Sequence, residues 1–568
     1  MLVGIDLGTT NSLCACYMDG KPVLIPNRLG EKLTPSVVAV NEENQILVGK
    51  TAHEYGLLHP ERCASRFKRT MGQDRVYTLG DQKFQSEELS GFVLRSLKED
   101  AEVFLHEEVT EAIISVPAYF NDKQRKATKR AGELAGLKVS RIINEPTASA
   151  LAYGIGESGK SERCMVFDLG GGTFDVTILE YYKNIMEVYA IAGDNFLGGE
   201  DFTDLLRDEF IKRKGFEGRV MDLTSYINIR KAAESCKRGL SGSDSSVMRV
   251  NIGGISYEET FDSGECEELF EPLLEKLRKP MEKSLRDAKI TLKDLDRIIL
   301  VGGGTRLPAV RNYLHKITGF YPEYYLDPDT SVAVGAAIQC AMKERDKQVD
   351  EVILTDVCPF TLGTEVVKDN GAFEVPGHYL PIIERNTVIP VSKTETVCTA
   401  HENQKYVTVK VLQGESRVAS NNLLLGELTV EVPVGPKGKE SVEITYTYDI
   451  NSLLEVEVKV LSTGEKKKVI IQDEENRISE EEAEQRLERI QYLKQNPRED
   501  EENILVMFRA ERIYEECSVT DQNRLAEKIN EFETAMRTKT RIEADSVRKQ
   551  LHELLDELEN RNDRGFLA

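Results

Sequence analysis

The sequence contains no uninterrupted apolar run that approaches the roughly 20 residues needed to cross a bilayer. Its first basic residue, Lys21, comes after an acidic one, Asp6, which is the reverse of the charge order that opens a secretory signal. Both features argue against a membrane or secreted protein, and they favour a cytoplasmic one.

Basic charge is also scarce, since 74 Lys and Arg stand against 97 Asp and Glu and the formal net charge is −23. A nucleic-acid partner requires a dense basic stripe, and the sequence has none. The ten cysteines include no CxxC pair and no Cys/His cluster, which argues against a zinc site. Cys14 and Cys16 are the only close pair, so buried, reduced thiols are the simplest interpretation.

At 568 residues the chain is too long for one hydrophobic core, and several domains are expected. Residues 1–347 mix β-branched runs, Gly-rich turns and amphipathic stretches, which predicts an α/β domain. Residues 348–356 predict a linker, and residues 357–472 alternate like the strands of a small β-sandwich. Residues 473–568 predict a charged helical bundle with an apolar stripe of period 3.6, formed by Val547, Leu551, Leu554, Leu555 and Leu558.

The α/β part contains a weak internal repeat. Residues 3–10 (VGIDLGTT) are echoed by residues 166–173 (VFDLGGGT), and a returning strand follows each copy. Two similar lobes that face one another would place two Gly turns and two aspartates, Asp6 and Asp168, around one cleft.

Gly- and Thr-rich turns of this kind expose backbone N–H groups that suit phosphate oxygens, and the aspartate before each turn can hold Mg²⁺ or its waters. A third Gly-rich turn follows a predicted strand at residues 302–306. Together they predict a nucleotide site; the alternative is three tight turns that need glycine for structural reasons. Residues 154–161 (GIGESGKS) match GxxxxGK[ST], and residues 154–159 match GxGxxG. They lead into the strand of the second repeat and do not open a helix after a strand, which argues against a P-loop NTPase and a dinucleotide fingerprint.

This pattern resembles the superfamily of actin, sugar kinases and heat-shock-70 ATPases. Further segments narrow the resemblance to DnaK-type heat-shock-70 chaperones: residues 4–12 (GIDLGTTNS), 116–122 (VPAYFND), 143–148 (INEPTA), 197–202 (LGGEDF) and 411–415 (VLQGE). The resemblance implies an actin-like α/β ATPase domain with two lobes, then a β-sandwich peptide-binding domain and a C-terminal α-helical lid.

The chain is shorter than typical members between Lys68 and residue 116 and again after Ser241, and it stops at residues 565–568 without an acidic tail. This compact build resembles the HscC-like subgroup most closely. Because the shortened segments flank the mouth of the cleft, the need for the usual exchange factor stays open.

The resemblance implies catalytic roles for Lys68, Thr173, Glu145 and Asp175, and a water-mediated Mg²⁺ site at Asp6, Asp168 and Glu145. Lys68 would orient the attacking water, and Asp175 and Glu145 suit proton acceptance and metal ligation. K⁺ is a further candidate cofactor. The alternative for Lys68 is a solvated surface lysine.

The nucleotide, ATP or ADP, would be bound by residues that match the family's contacts. These are Asp6, Gly8, Thr9, Thr10, Asn11, Asp168, Gly170, Gly171, Gly172, Gly198, Gly199, Glu200, Glu234, Lys237, Arg238, Ser241, Gly302, Gly303, Gly304, Arg306 and Asp329. Glu234, Lys237 and Ser241 share one helical face, where the resemblance puts the adenosine; a plain solvated face is the alternative.

Interdomain coupling is implied for a third set, Pro117, Arg125, Arg141, Asn144, Val352, Ile353, Leu354 and Asp356. Residues 352–354 form an apolar triplet in an acidic setting, which is unusual for a passive tether. They resemble a linker that docks on the ATPase domain in one state and is released in another; a short edge strand of the β domain is the alternative. Arg141, Asn144 and Asp356 match positions through which a J-domain partner stimulates hydrolysis.

The peptide groove would be formed by Leu362, Thr364, Val366, Val367, Val397, Ala400, Val407, Val409, Leu425 and Val442. Val367 and Ala400 match the pair that arches over a bound peptide. Any sandwich needs inward aliphatic side chains, so core packing is the alternative for each residue taken singly.

The sequence is therefore interpreted as an ATP-dependent chaperone that binds and releases extended hydrophobic polypeptide segments, gated by ATP binding and hydrolysis. Expected partners are client polypeptides and a J-domain co-chaperone, with no nucleic acid and no membrane. Two alternatives stay open: a small-molecule kinase on the same ATPase fold, and a partner chaperone that only exchanges nucleotide on others. Phosphoryl transfer to a sugar or glycerol would identify the first, and a lack of hydrolysis the second.

Overall fold

The computed structural model describes residues 1–153, 161–182, 185–218, 221–322, 324, 326–344, 353–369, 374–449, 454–471, 498–516, 519–538 and 541–564.

Up to residue 153 the elements are β1 (Leu2–Asp6), β2 (Asn11–Met18), β3 (Lys21–Ile25), β4 (Thr34–Pro35), β5 (Val37–Val40), β6 (Ile46–Val48), α1 (Lys50–Leu58), β7 (Cys63–Ser65), β8 (Tyr77–Leu79), β9 (Gln82–Phe84), α2 (Ser86–Leu105), β10 (Glu111–Val116), α3 (Asp122–Leu134), β11 (Lys138–Asn144) and α4 (Glu145–Ala152). Between residues 161 and 344 they are β12 (Glu162–Leu169), β13 (Phe174–Tyr182), β14 (Ile185–Asp194), α5 (Gly199–Arg213), α6 (Leu223–Leu240), β15 (Ser245–Ile252), β16 (Ile255–Asp262), α7 (Ser263–Asp287), β17 (Arg297–Val301), α8 (Pro308–Thr318) and α9 (Ser331–Glu344). From residue 353 they are β18 (Ile353–Val357), β19 (Leu362–Asp369), β20 (Glu374–Ile383), β21 (Val388–Ile389), β22 (Val391–Cys398), β23 (Tyr406–Gln413), β24 (Leu423–Glu431), β25 (Ser441–Tyr448), β26 (Leu454–Val460), β27 (Lys466–Ile470), α10 (Arg498–Glu516), α11 (Val519–Thr538) and α12 (Arg541–Arg564).

Two six-stranded sheets organise the α/β part. The first has the order β11-β10-β1-β2-β3 with β4 paired to β2, and the second has the order β17-β12-β13-β14-β18-β21. In each sheet an antiparallel hairpin, β1–β2 or β12–β13, lies beside a parallel strand, β10 or β17. This matching arrangement confirms the predicted internal repeat.

Each of these sheets has its own hydrophobic core, and a third core joins them. The first core consists of residues between 3 and 137, and the second of residues between 165 and 314; we call the two units the first lobe and the second lobe. The third core combines residues of both sheets, among them Leu2, Ile113 and Ile299. The lobes are therefore joined by shared apolar packing.

Helices α4 and α9 cross at very close range. A Cβ atom at Gly335 of α9 would lie 1.7 Å from the carbonyl oxygen of Ala148 in α4, so this approach requires glycine. The hydroxyl oxygens of Ser149 and Ser331 lie 2.9 Å apart at the same crossing. Because α9 also packs on β1 and β2, the last helix of the α/β part returns to the first sheet.

The β-rich region consists of two four-stranded sheets, β20-β19-β23-β24 and β22-β25-β26-β27. Along β25 and β26 every second residue is buried, as expected for strands that cover a core with one face. One core takes residues from both sheets, including Leu362, Val411 and Ile444. The predicted boundaries near residues 347 and 472 lie outside the described residues.

Helices α10, α11 and α12 share a separate core. All five residues of the predicted apolar stripe are buried in it, which confirms that stripe. Helix α10 also contacts α1 of the first lobe. Within the described parts of the chain, no helix combines the length and the apolar composition that a bilayer crossing requires.

Candidate functional site

A cavity of about 400 Å³ lies between the two lobes and collects most of the predicted nucleotide and catalytic residues. Those that line it are Asp6, Gly8, Thr9, Thr10, Asn11, Lys68, Glu145, Asp168, Gly170, Gly171, Thr173, Gly199, Glu200, Glu234, Lys237, Arg238, Ser241, Gly302, Gly303, Gly304, Arg306 and Asp329. Three predicted residues that the structure describes, Asp175, Gly172 and Gly198, are not part of the lining.

The two repeated turns meet at this cavity. A Cβ atom at Gly171, in the turn after β12, would lie 1.9 Å from the Thr10 hydroxyl in the turn after β1. Glycine is therefore required for the two turns to approach so closely. Such paired turns, rich in backbone N–H groups, form a concavity suited to phosphate oxygens.

A cluster of buried acidic groups lies next to the turns, with one lysine among them. Lys68, which is only 3% exposed, donates to Glu145 Oε1 over 2.7 Å. Asp6 Oδ1 accepts a hydrogen bond from Ser115 Oγ at 2.8 Å, and Asp175 Oδ1 accepts one from the Tyr119 N–H at 3.1 Å. Lys68 is therefore not a solvated surface residue.

Burial and crowding shift the protonation of these carboxyl groups. Burial first, and then the negative charge of Glu145, raise the pKa of Asp6 to about 7 and that of Asp175 to about 8. The same two causes raise the pKa of Asp168 well above its ordinary value. Because these carboxyl groups are buried and close to one another, a cation that binds among them would stabilise their ionised forms.

The donor set of the cluster fits a hard divalent cation bound partly through water. Asp168 Oδ2 is buried without a hydrogen-bond partner. Asp168 lies near the end of β12, and Asp6 lies at the end of β1, the matching strand of the first repeat. Carboxylate oxygens are the ligands such cations prefer, and Mg²⁺ usually keeps several waters. Among the described residues, no group of three or more acidic, His or Cys side chains is arranged to ligate a metal directly.

The other side of the cavity is fixed by α6 and by the turn after β17. Lys237 Nζ donates to Glu234 Oε2 at 2.6 Å and to the Gly199 carbonyl at 2.9 Å, which ties α6 to the start of α5. Arg306 Nη2 lies 2.8 Å from Asp329 Oδ2. These side chains are held by partners, so the solvated-face alternative for Glu234 and Lys237 is not what the structure has.

Three of the predicted coupling residues, Arg125, Asn144 and Asp356, are linked by hydrogen bonds. Arg125 Nη2 donates to Asn144 Oδ1 at 2.7 Å, and Asn144 Nδ2 donates to Asp356 Oδ2 at 2.6 Å. Arg125 also donates to the carbonyl oxygens of Ala118 and Phe120, which follow Pro117. Burial raises the pKa of Asp356, and its neighbours Arg125 and Arg141 only partly counter that effect.

Strand β18 contains three residues of the coupling set, Ile353, Leu354 and Asp356. Val352 lies outside the described residues. The strand pairs in parallel with β14, with Ile353 opposite Ile185 and Leu354 opposite Met186. At its other edge it pairs with the short strand β21. The segment is thus a strand between the second lobe and the β-rich region.

The predicted groove residues divide into two groups by burial. Leu362, Thr364, Val407, Val409 and Val442 are buried, and all of them except Thr364 belong to the core between the two four-stranded sheets. The remaining five are half-buried: Val366, Val367, Val397, Ala400 and Leu425. Core packing therefore accounts for four residues of the set, and Val397 and Leu425 also pack against that core.

Sequence analysis missed the ion pairs that cross the cleft. Arg69 of the first lobe lies 2.6 Å from Asp201 of the second, and Arg66 reaches the same helix. Both arginines lie within two residues of Lys68 in the sequence, but nothing local indicates partners more than 130 residues away.

Comparison with known proteins gives consistent matches over most of the chain. A family model described as Hsp70 protein matches residues 2–77 and 74–565. The chain is 41% identical over 516 residues to the chaperone protein DnaK of Thermosipho melanesiensis, covering 88% of this chain and 85% of the relative. It is 43% identical over 484 residues to DnaK of Thermosipho africanus, covering 83% and 79%. With DnaK of Thermotoga maritima it shares 40% over 525 residues, covering 90% and 86%.

Proposed function

The chain belongs to the Hsp70 family and is an ATP-dependent chaperone with ATPase activity, and from this premise we propose that ATP and ADP bind in the cavity between its two lobes. The observation that carries the proposal is the pair of touching turns, one from each lobe, beside a buried Lys68–Glu145 pair. The turns would hold the phosphates. Glu234, Lys237 and Ser241 would line the adenosine side, closed by Arg306 and Asp329.

Hydrolysis would rest on positioning and electrostatics within the buried cluster. Lys68 would orient the attacking water, which its bond to Glu145 and its burial support. Asp175 would accept a proton in its ionised form. With a pKa of about 8 it holds its own proton at neutral pH in the ligand-free protein, and the positive charge of a bound cation would favour ionisation. Bound Mg²⁺, held through waters by Asp6, Asp168 and Glu145, would supply neutralisation of phosphate charge; K⁺ is a second candidate ion.

The contacts between the units support a coupling mechanism. Arg385 Nη2 lies 2.8 Å from Asp287 Oδ1, and the Asp122 N–H donates to Gln413 Oε1 at 3.2 Å, so both lobes touch the β-rich region. We assign this docked arrangement to the ATP-bound chaperone. Hydrolysis would release β18 from β14, let the helices close and retain an extended client segment in the groove.

The residues near Asp356 support a J-domain partner. Arg141 is half-buried and carries its positive charge close to Asp356, while Asn144 bonds to Asp356 directly. A partner that binds here would act on β18 and on Glu145, the residue after Asn144, at the same time. The HscC-like subgroup and a cytoplasmic location stay predictions, as do the boundaries of the domains.

The two alternative functions are not favoured. A small-molecule kinase would not need the β-rich region and the helical bundle. The Hsp70 family match includes both of these regions, since it extends to residue 565. A chaperone that only exchanges nucleotide has no use for a lysine buried in an acidic cluster.

Single-turnover assays on the full chain test the proposed function. With ATP and Mg²⁺, we expect free phosphate to appear and a bound leucine-rich peptide to be released faster than with ADP. Phosphate transferred to glycerol or a hexose, or ATP returned unhydrolysed, would contradict it.

A further inference from the structure

An ion network joins the two lobes at the edge of the nucleotide cavity. Arg66 of the first lobe follows β7 and immediately precedes the 3-10 turn Phe67–Thr70 that contains Lys68. Its Nη2 lies 2.5 Å from Glu200 Oε2, and its Nη1 lies 3.1 Å from Asp204 Oδ2, both on α5 of the second lobe. One arginine thus contacts two carboxylates across the cleft.

Both carboxylates also have partners within their own lobe. Arg230 of α6 pairs with Glu200 and, at 3.2 Å, with Asp204, while Arg207 Nη1 lies 2.7 Å from Asp204 Oδ1. When the lobes separate, these pairs can persist, whereas the contacts that cross the cleft must break, among them those of Arg66 with Glu200 and Asp204 and that of Arg69 with Asp201. The specific contribution of Arg66 is therefore to closure of the cleft and not to the fold of the second lobe.

The network lies beside the proposed nucleotide cavity, although Arg66 itself does not line it. Glu200 lines the cavity and also accepts a hydrogen bond from Thr10 of the first phosphate turn, at 3.2 Å. Among the described residues, the lining does not include Arg66. Arg66 therefore contributes to closure without lining the cavity, and Glu200 connects its ion network to the cavity wall.

The backbone at Arg66 is in the left-handed region, with φ of 59°. A long side chain seldom adopts this conformation, and it persists where the surroundings hold it. Here the two carboxylates on α5 hold the guanidinium, which supports a specific role for this side chain.

We propose that Arg66 is a positioning residue that keeps the two lobes closed over bound nucleotide and thereby sets the rate of nucleotide release. The proposal rests on nucleotide binding in the cavity, as proposed above. The side chains of Arg66 and Asp204 are about one quarter exposed, so dissolved salt weakens their attraction. Release should therefore become faster as NaCl is added at a fixed K⁺ concentration.

The test uses the full chain and a fluorescent ADP whose dissociation is followed by stopped flow. Arg66→Asn tolerates a positive φ but is too short to reach α5, and we expect release about fivefold faster than in the unmodified protein. Arg66→Lys keeps one charge without the two-pronged contact and should fall between the two. Arg207→Ala removes a partner of Asp204 that does not cross the cleft, and release should change less than 1.5-fold.

Two further readouts separate a cross-cleft bond from a general loss of structure. The salt dependence of release should become shallower in Arg66→Asn, because the screened interaction is gone. In an Asp204→Asn background, Arg66→Asn should accelerate release less than it does alone. Melting temperatures of all variants check that they fold.

Unchanged release in Arg66→Asn, or equal acceleration by Arg207→Ala, would overturn the proposal. Full additivity of Arg66→Asn and Asp204→Asn would overturn the pairing of these two residues. If the unmodified protein does not bind the fluorescent ADP at all, the proposed function fails instead, so the two failures are distinguishable.

Discussion

Single residues set the chemistry of the cavity through one lysine among several buried acids. Replacing Lys68 by methionine keeps most of its shape and removes its charge. We expect Lys68→Met to bind ATP with nearly unchanged affinity and to hydrolyse it at least tenfold more slowly, because a group that orients water acts mainly in the transition state. Nucleotide titration and single-turnover hydrolysis measure the two quantities separately.

The control for this variant is Arg69→Met, which removes a neighbouring charge that pairs with Asp201 outside the acidic cluster. A hydrolysis rate that falls equally in both variants, or in neither, would remove Lys68 from the catalytic set.

The raised pKa values of Asp6 and Asp175 make the nucleotide-free protein sensitive to alkali. Their folded-state pKa values, about 7 and about 8, lie above the ordinary value near 3.8. The contribution to stability is present below about pH 4 and is lost as pH rises through 7 and 8, because the unfolded chain gives up these protons more easily. Without Mg²⁺ and nucleotide, the melting temperature should fall between pH 5 and pH 9.

Asp175→Asn should raise the melting temperature of the ligand-free protein at pH 8 and flatten this dependence, because an amide has no charge to bury. Scanning calorimetry in a chelating buffer measures both effects. A melting temperature independent of pH in the unmodified protein would show that these carboxyl groups ionise freely.

Among the elements, β18 is the one that links nucleotide to peptide. Its residue Leu354 packs against the core shared by the two lobes. Leu354→Asp would cost about 2 kcal/mol of apolar burial and add a charge at that site. We expect β18 to leave β14, so that ATP no longer accelerates peptide release while each unit stays folded.

Peptide dissociation rates with ATP and with ADP measure this effect. Thr355→Val is the matched control, because it keeps a β-branched residue on the same strand and should preserve acceleration by ATP. Continued acceleration in Leu354→Asp would refute a coupling role for β18.

The elements also show how far a sequence leads. The hairpins at β1–β2 and β12–β13, the alternating strands β25 and β26, and the apolar stripe of α12 all follow from local periodicity. The apolar triplet at residues 352–354 indicates a segment that needs cover but does not identify β14 as its partner. Likewise, the bond from Lys68 to Glu145 spans 77 residues, and only the family resemblance connected them.

The whole molecule has its helical bundle docked on the first lobe. Phe508 of α10 packs on Tyr55 of α1, with ring centroids 5.0 Å apart, and Arg512 Nε lies 2.9 Å from Glu54 Oε2. Burial alone would raise the pKa of Glu54, but the neighbouring His53 and the charge of Arg512 together hold it well below its ordinary range. Glu54 therefore stays ionised, and this contact persists, throughout the neutral range.

Glu54→Gln tests this docking from the lobe side, because the pairing of Arg512 with Glu559 inside the bundle is retained. Losing one charged hydrogen bond of about 1.5–3 kcal/mol lowers the equilibrium constant for docking by about tenfold or more. In ATP we therefore expect the helices to leave α1 and cover the groove more often, so that peptide release slows. Lys50→Gln, on the same helix but paired with Glu31, should leave release unchanged.

Energy transfer between dyes reports the docked fraction directly. The dyes would be attached to cysteines introduced as Glu42→Cys and Lys549→Cys, both at exposed positions, with the exposed Cys398 replaced by serine. In ATP, Glu54→Gln should lose the high-transfer population that the unmodified protein and Lys50→Gln keep. Because Glu54 is ionised at neutral pH, that population should not vary between pH 6 and pH 8 in the unmodified protein, whereas a loss of docking within this range would show that another titrating group controls the contact.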